Sequence, residues 1–303
     1  MAIEMHEPAI VAQPAQLELV PLPRRAWQTL RRLPLLPLIV IGVFVFISVF
    51  GEWLAPLPYN QQSLRLRFLP PAWLDGGNIH YLLGTDNLGR DVLSRIIVGA
   101  RTSFIVALAA LAFGSVLGSL IGLAAGYLGG RFDAFVMRTA DGMMAFPLVL
   151  AALLLVAVIG PGVLTVVIAA SFILWARFAR LIRSEVLSVR ERDFIKLARI
   201  AGASSQRIML VHILPNVLNS VVVLLTLQLG FVIIVEATLS FLGAGVPPPT
   251  PTWGQMVANG RTYIETAWWI SLFPGLAIAI VVLSFNLLGD WLRDHLDPRL
   301  RQL

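Results

Sequence analysis

Long apolar stretches separated by shorter polar segments dominate the chain. A helix needs about 20 apolar residues to cross a hydrocarbon core. Five uncharged runs approach or exceed that length: residues 33–51, 102–130, 142–176, 213–235 and 266–289. The third run is long enough for two helices, and Gly160-Pro161-Gly162 near its middle predicts a tight turn between them. The pattern therefore predicts an all-α, polytopic membrane protein with six transmembrane helices.

Composition supports this class. Of 303 residues, 57% are hydrophobic and 13% are charged, and the mean hydropathy is +0.81. Soluble domains average about 45–50% apolar and about 25% charged residues. Cysteine is absent, which excludes disulfides, thiolate metal sites and a cysteine nucleophile.

The distribution of basic residues predicts the orientation. Arg and Lys favour cytoplasmic loops, and a cytoplasmic amino terminus leaves few of the 23 basic residues outside. Those few are Arg65, Arg67, Arg90, Arg95, Arg101 and Arg261. We therefore expect both termini in the cytoplasm. The net charge of +6 then reflects membrane orientation and not a nucleic-acid surface, because no single soluble face gathers the charges with stacking aromatics.

Five regions follow from these patterns. Residues 1–32 form a cytoplasmic tail, and residues 33–54 form the first transmembrane helix, which we interpret as a retained anchor because its apolar run exceeds that of a cleaved signal. Residues 55–101 form a proline- and glycine-bearing outer loop. Residues 102–292 form a five-helix core with a cytoplasmic coupling loop at 177–216. Residues 293–303 form a cytoplasmic carboxyl-terminal tail.

The second apolar run is rich in small residues. Gly114, Gly118 and Gly122 lie four positions apart, so one helix face is nearly bare backbone and can approach another helix closely. The alternative, a lipid-facing surface, fits less well because such surfaces usually carry bulky side chains. The pattern predicts a tightly packed helix.

The cytoplasmic segment 177–216 differs from the rest of the chain. Its apolar residues recur with a helical period, which predicts an amphipathic helix over 191–201. Gly202 is expected to end that helix, Ser204 or Ser205 to cap a second short helix, and Pro215 to mark the entry to the fifth span. Such a bent segment fits two roles: an interfacial helix on lipid headgroups, or a lever held by a soluble motor subunit.

The stretch LGTDNLGRDVLSRIIVGARTSF, residues 83–104, could be a phosphate loop, a metal site or the entry to a membrane helix. Gly84-Thr85-Asp86-Asn87 is typical of a turn. Asp91 is placed to cap a short amphipathic helix at the membrane surface before Thr102. Since this segment is expected outside, where nucleotide is absent, it is interpreted as the entry to the membrane helix and not as a phosphate loop.

Catalytic and metal-binding patterns are missing from the sequence. It contains no GxxxxGK[ST], HExxH or GxSxG motif, and its four histidines are scattered. We therefore expect a protein that is not an enzyme, with no catalytic residues and no directly bound metal or cofactor. Any use of ATP belongs to another subunit.

Charged and aromatic residues near the spans are candidates for function, since charges there are costly. Glu236 lies near the outer end of the fifth span, where it could face a pathway and meet a cationic substrate group or could pair with Arg101 or Arg261. Asp141 and Asp290 are expected at cytoplasmic ends in solvated or ion-paired roles. Three tryptophans are interpreted first as interfacial anchors and second as contacts with a delivery protein: Trp253, Trp268 and Trp269.

Three segments carry a family resemblance. Lys196-Leu197-Ala198, Gly202 and His212-Ile213-Leu214-Pro215 resemble the EAA-type loop of ABC-importer membrane subunits, although Lys196, Leu197 and His212 depart from its usual residues. GTDNLGRDVLSRIIVGARTS, residues 84–103, looks like the hallmark before the second span in the dipeptide, oligopeptide and nickel branch. EATLSFLGAGVPPPTPTWGQMVANGR, residues 236–261, resembles the same subunit after its fifth span.

The resemblance implies a type I ABC importer permease fold in a bacterial inner membrane. It also implies a second homologous permease subunit, two cytoplasmic ATPase subunits that use ATP and magnesium, and an extracytoplasmic substrate-binding protein. Candidate residues for coupling to the ATPases are Asp193, Lys196, Ala198, Arg199, Ala201, Gly202, Ala203 and Ser204. Candidate outer-side contacts are Asp86, Arg90, Asp91 and Trp253.

The resemblance leaves the substrate open. Dipeptides or oligopeptides are the expected cargo, with nickel complexes, glutathione or opine-like compounds as alternatives. A stand-alone secondary carrier is an alternative of another class. It would be expected to show paired repeats with charges or broken helices at mid-depth.

Overall fold

The computed structural model describes residues 34–296, and all the helices below belong to the compact unit that begins at Leu35. The predicted amino-terminal tail, residues 1–32, and residues 297–303 of the predicted carboxyl-terminal tail lie outside the described residues. Within the described part, regular structure is helical, with one isolated bridge between Thr85 and Asp91. The all-α prediction is confirmed.

Ten α-helices occur between residues 34 and 296. In chain order they are α1 (Leu35–Leu54), α2 (Val92–Leu128), α3 (Gly130–Ala145), α4 (Leu148–Ile159), α5 (Val163–Val189), α6 (Asp193–Ile200), α7 (Ser205–Arg207), α8 (Leu214–Phe241), α9 (Trp253–Arg261) and α10 (Trp269–Leu296). A π-helical turn, Ile208–Ile213, joins α7 to α8. In the described range, five helical segments are long and apolar enough to span a membrane: α1, α2, α5, α10 and the stretch from α7 through α8.

The third predicted span is broken. Helices α3 and α4 meet at an 89° bend, and the pair makes a sixth span only if the two are counted together. Pro147 explains the break, because proline disfavours helical backbone at the residue before it, and Phe146 is extended. The predicted turn at residues 160–162 is confirmed, since α4 ends at Ile159 and α5 begins at Val163.

Three predicted region boundaries differ from the ends of the helices. The outer loop ends at residue 91 and not at 101, because α2 runs without interruption from Val92 to Leu128. The expected separate surface helix before Thr102 is therefore the first part of the spanning helix. The coupling loop begins at residue 190 and not at 177, because α5 continues to Val189. Likewise, residues 293–296 are the end of α10 and not part of a tail.

The small-residue face of α2 packs against α5, as predicted. A Cβ atom added to Gly114 would lie 2.5 Å from Leu174 Cβ, and one added to Gly118 would overlap the Trp175 carbonyl oxygen. Glycine lets the two backbones approach this closely. Helices α2 and α5 form the centre of the described core.

The core has two ends. We call the end that carries residues 55–91 and 242–268 the loop face. The two segments meet there, because the indole N–H of Trp269, directly after the second segment, donates to the Thr85 carbonyl of the first at 3.0 Å. We call the opposite end, with residues 190–213, the hairpin face. There the Arg190 guanidinium donates to the Gly126 carbonyl at 2.9 Å.

Candidate functional site

The hairpin face presents a short amphipathic helix. Helix α6 spans Asp193–Ile200, within the predicted range of 191–201. Its Ile195 side chain is fully buried against the core, whereas Leu197 is 66% exposed and Ile200 is 84% exposed. Helix α6 therefore contacts the core through Ile195 and leaves Leu197 and Ile200 exposed at the surface.

A glycine bend follows this helix. Gly202 has a φ of +78°, a left-handed conformation that glycine adopts without strain. The Ser204 hydroxyl then accepts a hydrogen bond from the Arg207 N–H at 3.4 Å. The predicted end at Gly202 and the predicted cap at Ser204 are both confirmed.

The bend is joined firmly to the fifth span. Ile208 and Ile213 of the π-helical turn are buried in the core, and the turn passes directly into α8, with Pro215 in its first turn as predicted. The backbone therefore stays helical from Ser205 through α8.

The eight predicted coupling residues cluster on this bend. All of them are exposed or half-buried: Asp193, Lys196, Ala198, Arg199, Ala201, Gly202, Ala203 and Ser204. Lys196 pairs with Asp193 at 3.3 Å, and the Arg199 guanidinium lies 5.9 Å from the centre of the Tyr127 ring. The structure thus brings these residues together on one accessible surface.

The loop face holds a buried charge cluster. The Arg90 Nε atom donates to Asp86 Oδ2 at 2.7 Å, and Arg95 Nε lies 3.7 Å from the same oxygen. The other oxygen, Asp86 Oδ1, accepts from the backbone N–H groups of Leu88 and Arg90. Since Asp86, Arg90 and Arg95 are all buried, the cluster holds residues 55–91 in place through contacts within the chain.

Two further residues fix this loop, Thr85 within the loop and Asp91 at its junction with α2. The Thr85 hydroxyl donates to the Leu66 carbonyl and accepts from the Leu69 N–H. Asp91 caps α2, as predicted, by accepting from the Ser94 N–H at 2.8 Å. Burial raises the pKa of the Asp91 carboxyl, and the Ser94 hydrogen bonds oppose that rise.

The expected outer-side contacts are not accessible in this chain. Asp86, Arg90, Asp91 and Trp253 are all buried, with Trp253 only 1% exposed. The Trp253 indole N–H donates to the Ile96 carbonyl at 2.8 Å, and its ring lies 3.2 Å from the position of a Cβ at Gly99. These side chains hold the loop face together, and their role as outer-side contacts stays a prediction.

Two of the three tryptophans depart from the predicted role as interfacial anchors, which stays a prediction for Trp268. Trp253 and Trp269 are buried within the protein, whereas Trp268 is half-buried. The proline-bearing segment before Trp253 has no regular helix, as expected, but Thr252 caps the short helix α9, which the sequence analysis did not predict.

Glu236 is fully buried. Its carboxylate accepts hydrogen bonds from Ser103 at 2.9 Å and Ser240 at 2.7 Å, so it joins α2 to α8. The predicted ion pair is wrong, because Arg101 pairs with Glu52 and Arg261 lies over the Phe241 ring. In this conformation Glu236 also does not face a pathway, because its side chain has no exposed surface.

The two remaining acidic candidates lie in accessible positions. Asp141 forms an ion pair with Arg180, and Asp290 is exposed. Both agree with the predicted solvated or ion-paired roles. Among residues 34–296, no group of three or more His, Asp or Glu side chains could hold a metal ion.

One cation inside a candidate membrane-spanning helix was not predicted from the sequence. Arg177 was expected in the cytoplasmic loop, but it lies inside α5, and its Nη1 atom donates to Gln228 Oε1 of α8 at 3.0 Å. The uncharged run ends at Ala176, so the run alone suggested that the membrane ended there. Gln228 was the available signal, since a carboxamide in the middle of an apolar helix needs a polar partner.

Comparisons with known proteins agree with this architecture. The family model described as "Binding-protein-dependent transport system inner membrane component" matches residues 118–302. The model described as "N-terminal TM domain of oligopeptide transport permease C" matches residues 22–71. Together the two models match the amino-terminal part of the chain and most of the rest, with residues 72–117 between them.

Curated relatives match over most of the chain. A di/tripeptide transport system permease protein, DppC of Pseudomonas aeruginosa, is 43% identical over 264 residues, which are 87% of each protein. The dipeptide transport system permease protein DppC of Escherichia coli is 40% identical over 265 residues, 88% of each.

A solved structure supports the fold. An inward-facing structure of the MetNI methionine ABC transporter matches 67% of this chain and 96% of the solved chain, with a TM-score of 0.51 and 16% identity. At that identity the match concerns the fold alone, a type I ABC importer permease. On this evidence the chain belongs to the family of binding-protein-dependent transport system inner membrane components, as a multi-pass permease subunit of an ABC importer.

Proposed function

We propose that this subunit and a second homologous permease form the pathway of an ATP-driven peptide importer. Two ATPase subunits bind the hairpin face, which lies in the cytoplasm together with both termini. A substrate-binding protein delivers cargo at the loop face. The observation that carries the proposal is the bend at Gly202, which is exposed on one side and continuous with α8 on the other.

The surface of α6 suits a protein partner. Leu197 and Ile200 expose apolar side chains next to Lys196 and Arg199, and an exposed apolar patch rimmed by charge is typical of a protein contact. The alternative is that α6 rests on lipid headgroups. A headgroup contact would not require the rigid connection from the bend into the fifth span, whereas transmission of ATP-driven motion would.

Peptides are the cargo that the relatives favour, because the similar proteins from Pseudomonas aeruginosa and Escherichia coli are named as di/tripeptide and dipeptide permeases. Nickel complexes, glutathione or opine-like compounds remain alternatives for the same machinery. The exposed bend on the hairpin face argues against a stand-alone carrier, because a carrier has no ATPase subunit to bind there.

The variant Ile200→Glu tests the coupling surface. Ile200 is 84% exposed, so the change should leave folding intact while placing a charge in the proposed contact. We expect purification of the tagged subunit from its own membranes to recover the second permease but about tenfold less ATPase, and peptide uptake to fall with it. Mass spectrometry of the purified complex and uptake by whole cells measure the two effects.

The matched control is Ile79→Glu, which places the same charge at a site 79% exposed on the loop face. It should recover ATPase at the wild-type level. If Ile200→Glu also retains the ATPase subunits and uptake, α6 is not the coupling surface. If the wild-type chain comes without any ATPase from membranes that contain its neighbours, the importer assignment itself is wrong.

A further inference from the structure

An arginine at mid-depth of the helical core lacks an anionic partner in the described part of the chain. The Arg177 guanidinium donates one hydrogen bond to Gln228 at 3.0 Å, and its central carbon lies 4.1 Å from the centre of the Phe231 ring. In residues 34–296 no Asp or Glu pairs with it. A guanidinium has five N–H donors, so most of its capacity for binding an anion is unused.

The position of its partners fixes the depth of this cation. Gln228 lies 14 residues after Leu214, the first residue of α8, and 13 residues before Phe241, the last. At about 1.5 Å per residue, the guanidinium is about 20 Å from either end of α8. Phe231 lies one turn further toward the loop face.

The direction of the side chain argues against an interfacial role. Arg180, one turn further along α5 toward the hairpin face, is exposed and pairs with Asp141. An arginine that reached for the nearest aqueous boundary would turn in that direction. Arg177 instead contacts Gln228, in the middle of α8.

The exposed part of the Arg177 side chain is therefore expected to contact water. Its side chain is only half-buried, and an intramembrane cation exposed to hydrocarbon is costly, so such residues face a water-filled cavity or an anionic partner. Phe231 covers one face of the guanidinium plane and leaves the donor edge available. The Gln228 carboxamide beside it carries N–H groups that can also donate to an anion.

We propose that Arg177, with Gln228 and Phe231, forms a carboxylate subsite in the translocation pathway, where the terminal carboxylate of a peptide binds in passing. This inference rests on the proposed function, because it needs a peptide in a pathway lined by this subunit. A planar guanidinium matches a carboxylate in geometry. A single half-buried cation also suits transient binding, since a pathway site must release its ligand.

The test compares two probes in proteoliposomes that contain the complete complex and its delivery protein: a labelled dipeptide with a free terminal carboxylate, and its terminal amide. Each uptake rate is divided by the amount of probe that the delivery protein carries, so that the selectivity of that protein cancels. We expect Arg177→Gln to lower uptake of the free acid about tenfold, the effect of losing a charged hydrogen bond, and to leave uptake of the amide within about twofold.

Two more variants complete the design. Gln228→Glu keeps the cation but supplies a fixed carboxylate, which occupies the donor edge; it should lose the preference for the acid even if Arg177→Gln fails to insert. Arg180→Gln, one turn away on the same helix, removes an exposed arginine and should preserve that preference.

Equal loss of acid and amide uptake in both Arg177→Gln and Gln228→Glu would overturn the subsite, and would point to a contact with the partner subunit. Unchanged uptake of both probes would also overturn it. Failure of the wild-type complex to import either probe with ATP would instead refute the proposed function.

Discussion

At the scale of single residues, charges beside apolar runs serve two different purposes in this protein. Asp86, Arg90 and Glu236 are buried and have partners inside the chain, Arg90 with Asp86 and Glu236 with Ser240, so they hold structure. Arg177 is also internal, but its hydrogen-bond partner is an uncharged carboxamide. For these arginines the presence of a carboxylate partner, and not burial alone, separates a structural charge from a candidate binding group.

The variant Asp86→Ala tests the structural role at the loop face. It removes the acceptor for Arg90 and leaves two buried guanidinium groups, those of Arg90 and Arg95, without their carboxylate. Breaking a buried pair in this way costs about 3–5 kcal/mol. We expect residues 55–91 to become sensitive to proteolysis and the purified complex to lose thermal stability, as measured by a thermal unfolding scan.

Glu52→Ala is the comparison for that experiment, because it removes an ion pair with Arg101 in which both side chains are about half exposed. Exposed pairs contribute about 0–1 kcal/mol, so the unfolding temperature should barely move. Equal effects of the two substitutions would mean that the buried cluster does not pin the loop.

At the scale of elements, the close contact of α2 and α5 determines how the core is built. A Cβ at Gly118 would overlap the carbonyl of Trp175, which is backbone and cannot rotate away. Gly118→Ala therefore forces the two helices apart, and overpacking of this kind costs about 1–3 kcal/mol. A lower unfolding temperature of the detergent-solubilised complex would report the loss.

Gly142→Ala provides the control for this substitution. Gly142 is also helical, but a Cβ there would have no neighbour within 4 Å. Alanine favours a helix over glycine by up to about 1 kcal/mol, so stability should stay constant or rise. If Gly118→Ala behaves in the same way, α2 and α5 are less tightly packed than the structure has them.

The elements that the sequence predicted well are those governed by local chemistry. Gly202, Asp91 and the turn at residues 160–162 each act through the backbone beside them, and all three lie where they were expected. The bend before α4 and the uninterrupted start of α2 depend on tertiary packing. Gly99 of α2 lies against Trp253, a contact between residues 154 positions apart that no local pattern contains.

Candidate site residues divide in the same way. The coupling segment could be located from its helical period and its glycine, because the order of apolar and polar residues in an amphipathic helix shows which face is exposed. The residues of the GTDNLGRD stretch were expected at an outer surface from the predicted topology and the family resemblance. Neither reveals that Asp86 contacts both Arg90 and Arg95. Arg177 was missed because its partners lie on another helix.

At the scale of the whole molecule, the absence of cysteine makes the orientation directly testable. We expect the loop face outside the cytoplasm and the hairpin face within it, following the distribution of arginines. Single cysteines at Ile79, 79% exposed on the loop face, and at exposed Arg131, in the first turn of α3, sample the two ends. A membrane-impermeant maleimide added to intact spheroplasts should label Ile79→Cys, and should label Arg131→Cys only after permeabilisation. The reverse pattern would place the ATPase-binding bend on the wrong side of the membrane, and the proposed coupling could not operate.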